Sequence, residues 1–187
     1  MTEPKPVNPL ISSAHLLRFT NEQGLAAPRR VRVTPAIGAK VDHCYVNVEQ
    51  AVERAGGVGI YGWKILEFPR LFLQAIHHAV WLSKDVRLVD VTPDIRNWRQ
   101  VVFAPDEALM YRGIPPDTIR PRFLNISGLT EIDDLIGISL KLTELRIQSA
   151  LPNGAMLPLD KSNRGVAELI SQSKLLFEVA RFKIGAK

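Results

Sequence analysis

Apolar and polar residues alternate in RVRVT at positions 30–34, the period of a half-exposed strand. The period then changes. Cys44, Val48, Ala51, Val52 and Ala55 recur at i, i+4, i+7, i+8 and i+11, which predicts a helix with Cys44 on its buried stripe, in the first turn. Asp42 is expected to cap its start, and Gly56 and Gly57 to end it, because glycine accepts the left-handed conformation just past a helix. Three strand-like runs follow at 58–66, 71–82 and 86–92, separated by Phe68-Pro69-Arg70 and by Ser83-Lys84-Asp85. WRQVVF at 98–103 predicts another strand, ended by Pro105 and Asp106. Beyond a looser stretch at 111–125, with Pro115, Pro116 and Pro121, two helices are expected. The first has Thr130 as a possible cap ahead of Asp133. The second carries Val166, Leu169, Ile170, Leu176, Phe177 and Ala180 on one face, and a Pro/Gly-bearing link at 151–158 separates the two.

This order gives an α+β expectation: an antiparallel sheet packed on the Cys44-bearing helix, with a helical C-terminal extension. Residues 1–27 read as an N-terminal arm with a short helix near 15–19, residues 28–110 as the core and 111–187 as the extension. The chain of 187 residues has room for one ordinary domain with such an addition. Its 46% hydrophobic and 23% charged residues are those of a globular protein. No apolar run approaches the ~18 residues of a membrane span. The opening residues lack the basic-then-apolar pattern of a secretory leader, so a soluble cytoplasmic protein is expected. The net charge of +5 raises the question of nucleic acid, but the excess is spread thinly, with one cluster at Arg29, Arg30 and Arg32. A nucleic-acid partner usually requires a concentrated basic face, so none is expected.

The single cysteine excludes an intramolecular disulfide. In a chain with histidines it is a candidate nucleophile, though free cysteine is also among the most buried residue types. Thiolate forms near neutral pH where a helix N-terminus and an imidazolium lie close by. Four histidines are present, at 15, 43, 77 and 78. If Ser83-Lys84-Asp85 is a three-residue hairpin loop, Leu82 pairs with Val86 and His78 stands directly opposite Asp90, on the same face. The Asp90 carboxylate would then orient the ring and stabilise the imidazolium. On this register His78 shares a face with Ile76, Val80 and Leu88, expected to lie under the Cys44 helix. His77 shares the other face with Ala79 and Trp81.

Cys44 heading a helix that runs to Arg54, the Tyr61-Gly62-Trp63 strand, His78-Ala79 followed by Trp81, and Leu88-Val89-Asp90-Val91-Thr92-Pro93 together resemble the transglutaminase-like superfamily of papain-type cysteine enzymes. The resemblance covers residues 40–95. It implies nucleophile, base and orienting acid at Cys44, His78 and Asp90, and cleavage or transfer at an amide or related acyl bond of a protein or peptide-like substrate, with no cofactor. Val80 between Ala79 and the aromatic residue, and Gly56-Gly57-Val58 after the helix, depart from the family pattern. The Cys44 backbone N–H at the helix start is a natural oxyanion donor. Trp63, through its indole N–H, is the candidate second donor, and His77 and Trp81 are candidate substrate contacts. Two rivals stand beside this reading: a non-catalytic protein-binding module of the same fold, and a zinc site built from Cys44 with His43, His77 or His78.

Overall fold

The computed structural model describes residues 5–109, 119–149 and 158–185. Its elements are α1 (Ala14–Glu22), β1 (Arg29–Val33), α2 (Cys44–Ala55), β2 (Val58–Phe68), β3 (Phe72–Leu82), β4 (Leu88–Asp90), β5 (Gln100–Pro105), a 3-10 turn (Glu107–Leu109), β6 (Arg122–Asn125), α3 (Thr130–Gln148) and α4 (Arg164–Gly185). Of the looser stretch expected at 111–125 and the link expected at 151–158, residues 111–118 and 151–157 lie outside the described residues.

The strands run β2-β5-β1-β4-β3, and β3 pairs back with β2, so five of them close into a barrel to which β6 is added along β3. The pairs are antiparallel except β1 with β4, which is parallel. Closure gives the sheet an inner and an outer face. Val31, Val80, Val101 and Phe103 fill the interior, with Val33, Ile60, Leu88 and Trp98 packed against them. Outward residues of the same strands are covered by helices. Leu16 and Phe19 of α1 pack on Trp63, Ile65, Leu73, Ala75, Val102 and Ala104. Cys44, Tyr45, Val48 and Ala51 of α2 pack on Ala79 and Val91, flanked by Tyr61, Trp81 and Val89.

The segments expected outside the core contribute to it. Leu16 and Phe19, read as part of an arm, are fully buried, and β6 extends the sheet beyond position 110. Three apolar positions on one short helix were too few to outweigh the surrounding prolines. At the end of the barrel formed by the β2–β3 turn, Leu71 and Phe72 meet Ile132 and Leu135 of α3 and Ala180 of α4. Thr130 is the first residue of α3, behind Leu129, and does not cap it through its side chain. The Asp133 carboxylate accepts instead from the Asn125 amide, 2.9 Å away.

Around α2 the expectations hold at one end and fail at the other. Gly56 closes the helix at φ 71°, followed by Gly57 at φ 85°. A Cβ on Gly57 would lie 2.3 Å from the Leu82 carbonyl oxygen, so this position requires glycine for both conformation and space. At the start, His43 occupies the N-cap position without a side-chain cap. Asp42 sits instead in the left-handed region at φ 62°, in the turn that delivers the chain into the helix.

No helix among the described residues is long and apolar enough to cross a membrane.

Candidate active site

The hairpin between β3 and β4 sets the geometry of the site. Leu82 pairs with Leu88 and Trp81 with Val89, so the connection is five residues long and the expected pairing of Leu82 with Val86 is displaced by two. Ser83 causes the difference. Its backbone carbonyl accepts from Val86 N–H at 2.9 Å, its hydroxyl accepts from Arg87 N–H at 3.1 Å, and Val86 takes φ 59°. Because side chains alternate with a period of two, a slip of two preserves the face. Asp90 therefore still shares a face with His78, but stands diagonal to it, opposite Val80. Diagonal neighbours are within reach of a long side chain, and His78 Nε2 lies 2.9 Å from Asp90 Oδ2.

The face itself is a correction. The His78, Val80 and Leu88 side was expected under the Cys44 helix, yet Val80 and Leu88 belong to the barrel interior. It is the opposite side, with Ala79 and Trp81, that carries α2. Closure of the sheet forces this, since a helix cannot enter a barrel already filled by side chains. Cys44 and His78 nevertheless meet. On the edge away from β2, strand β3 pairs with β6 at residues 72–75 and with β4 at 81–82. Residues 76–80 have no strand neighbour there among the described residues. The α2 C-terminus is tied to Trp81, whose indole N–H donates to the Gly56 carbonyl at 2.8 Å. Its N-terminus thus lies over His77 and His78, at the opening. The Cys44 sulfur lies near enough to the His78 ring to favour its protonated form, and with Nε2 held by Asp90, Nδ1 is the nitrogen left for the sulfur.

Cys44, His78 and Asp90 are 7%, 6% and 1% exposed. Burial alone would disfavour the imidazolium, but the Asp90 carboxylate and the Cys44 sulfur outweigh it and push the His78 pKa up to about 10. The ring is therefore a cation at neutral pH. Asp90 is fixed by its second oxygen, which accepts from Thr92 N–H at 3.0 Å.

Asn47 and Thr92 complete the site and were not singled out in the sequence. Asn47, one turn after Cys44, donates to the Thr92 hydroxyl at 3.2 Å and to the Lys40 carbonyl at 2.7 Å, and accepts from Lys40 N–H at 3.0 Å. It latches α2 to the segment that follows Asp90. Its signal in the sequence is an amide one turn from the cysteine on an otherwise apolar face.

The remaining candidates fall elsewhere. Trp63 spends its single N–H on Asp106 Oδ2, 2.8 Å away, under the guanidinium of Arg122, and cannot also serve an oxyanion. Trp81 is committed to the end of α2. His77 hydrogen-bonds the Tyr45 hydroxyl and meets the Trp63 ring edge-on. The backbone N–H groups of the first turn of α2, which have no partner within the helix, remain the candidate donors beside Cys44.

Burial, reinforced by the neighbouring His78 cation, lowers the His77 pKa to about 4. In an unfolded chain the ring would titrate near 6.5. Between these values the unfolded state holds more protons, so the His77 contribution to stability is full above pH 6.5 and is lost as pH falls through 4. His77→Phe is expected to flatten the stability profile between pH 6.5 and 4 in urea titrations, while Cys44 reactivity is retained.

Among the described residues no group of three histidine, cysteine or acidic side chains is arranged to hold a metal ion. Compared with known proteins, the chain matches no family model, no curated protein and no solved structure.

Proposed function

We propose that the chain is a cysteine-dependent enzyme of transglutaminase-like type, which hydrolyses or transfers the acyl group of an amide or related bond in a protein or peptide-like substrate. One observation carries this reading: a buried imidazole hydrogen-bonded to a carboxylate, beside the sulfur at the first residue of a helix. In this reading the Cys44 thiolate attacks the acyl carbon and the carbonyl electrons move to oxygen, facing the N–H groups at the start of α2. As the tetrahedral intermediate collapses, the C–N bond breaks and the leaving amine takes the proton of the His78 imidazolium. The acyl group remains on sulfur as a thioester. Neutral His78 then removes a proton from water or from an acceptor amine, whose attack releases the product and restores the Cys44 thiolate beside the His78 imidazolium. Asp90 keeps the ring oriented throughout. A free nucleophilic thiol is compatible with the reducing cytoplasm, where we place the protein.

The near-complete burial of all three side chains favours a second reading, a protein-binding module that retains the fold without turnover. An acyl-amide library incubated with the native chain and with Cys44→Ser separates the two. Turnover, with a thioester trapped on Cys44, is the expected result. No turnover and no covalent adduct at Cys44 would leave the binding module.

A further inference from the structure

On the outer face of the barrel, beside α2, the chain carries a cationic depression with no assigned role. Arg30 and Arg32 alternate with buried Val31 on β1, and Arg32 pairs with Val89 of β4 on one side and Gln100 of β5 on the other. With Arg99, Asn8, Trp98 and Gln100 they line an open trough of about 580 Å³. No acidic residue lines it. None of the three arginines has an ion-pair partner among the described residues, whereas Arg96 and Arg122 nearby in sequence or space are paired. Asn8 is held by its amide, which donates to the Gln100 carbonyl at 2.8 Å. Its Oδ1 is buried without a donor among the described residues. The trough therefore lacks negative charge for three guanidiniums.

We propose that this trough is the docking surface for an acidic segment of a partner protein. Side-chain carboxylates match the planar guanidinium forks. A single-stranded nucleic acid fits less well. Its bases need a free aromatic face, and the Trp98 ring already has the Arg96 guanidinium 5.1 Å and the Lys64 ammonium 5.9 Å from its centroid. The surface stands independently of Cys44, so its failure and that of the proposed activity are separately visible.

Calorimetric titration of the full chain with a glutamate-rich peptide, at low and at moderate salt, tests this. Saturable binding is expected, weakened on the order of tenfold by the double variant Arg30→Glu, Arg32→Glu and by added salt, which screens beyond roughly 10 Å at 0.1 M. Lys174→Glu on α4 should leave it unchanged, as should Cys44→Ser. Arg99→Glu, ahead of β5, gives the same reading if the strand variant fails to fold. Absence of saturable binding, or equal binding by the arginine variants, overturns the proposal. So does tighter binding of tripolyphosphate or of a single-stranded oligonucleotide than of the peptide.

Discussion

His78→Ala is expected to slow alkylation of Cys44 by iodoacetamide at pH 6.5 about a hundredfold while the protein stays folded. The magnitude follows from the thiolate population, because an ordinary thiol with a pKa near 8.5 is only ~1% ionised at that pH. In the native chain the His78 cation, held up to about pH 10 by Asp90 and the sulfur, lies beside Cys44. Native labelling at this pH should therefore be faster than that of a free thiol. Any acyl-transfer activity should fall by roughly 10²–10⁴, the usual worth of a positioned acid and base. Native labelling no faster than that of a free thiol, or a His78→Ala chain that labels as fast as native, would remove His78 from the chemistry.

Asp90→Ala is expected to produce the largest loss of stability of the substitutions considered, about 3 kcal/mol at pH 7 by urea unfolding. Its carboxylate is the partner of a buried cation, and removing one member of such a pair costs ~3–5 kcal/mol. A proton leaving the imidazole relieves the charge and holds the cost toward the lower figure. The Thr92 N–H loses its acceptor as well. The pH profile carries a second signature. A histidine whose folded pKa is raised contributes stability that is fully present below its unfolded value near 6.5 and is lost as pH rises through about 10. Native protein should weaken across that interval, and Asp90→Ala should show little change there. A variant as stable as native, with the same alkaline decline, would show that Asp90 does not hold His78.

The Lys64–Asp94 pair shows why such losses spread beyond the two side chains involved. Lys64 lies on the inner face of β2 and reaches Asp94 Oδ2 at 2.6 Å, in the loop that follows β4. Burial alone would raise the Asp94 pKa, but the hydrogen bond from Lys64, with Arg96 beside it, holds it below the usual carboxylate range. That loop begins at Asp90 and passes through Thr92. It is tied at one end to α2 by Asn47 and at the other to the barrel by Lys64.

Local patterning determined the pieces. The change of period at Cys44, the glycines at 56 and 57, and the alternating runs before and after Ser83 marked the helix, its end and the strands, because these depend on neighbours a few residues apart. The shared face of His78 and Asp90 was also readable. Parity survives a slip of two, and the Ser83 turn lengthened the loop by that amount. What the tertiary structure decided is which face became the inside. Pairing of β2 with β3 at one end of the strand order and with β5 at the other closed a barrel, and a filled interior left α2 only the outer surface. Cys44 then reaches His78 where β3 has lost one neighbour and not yet gained the next, a gap set by the lengths of β4 and β6. The partners of Trp63 and Asn47 were likewise invisible in sequence, since Asp106 and Thr92 lie 43 and 45 positions away and are brought near only by closure.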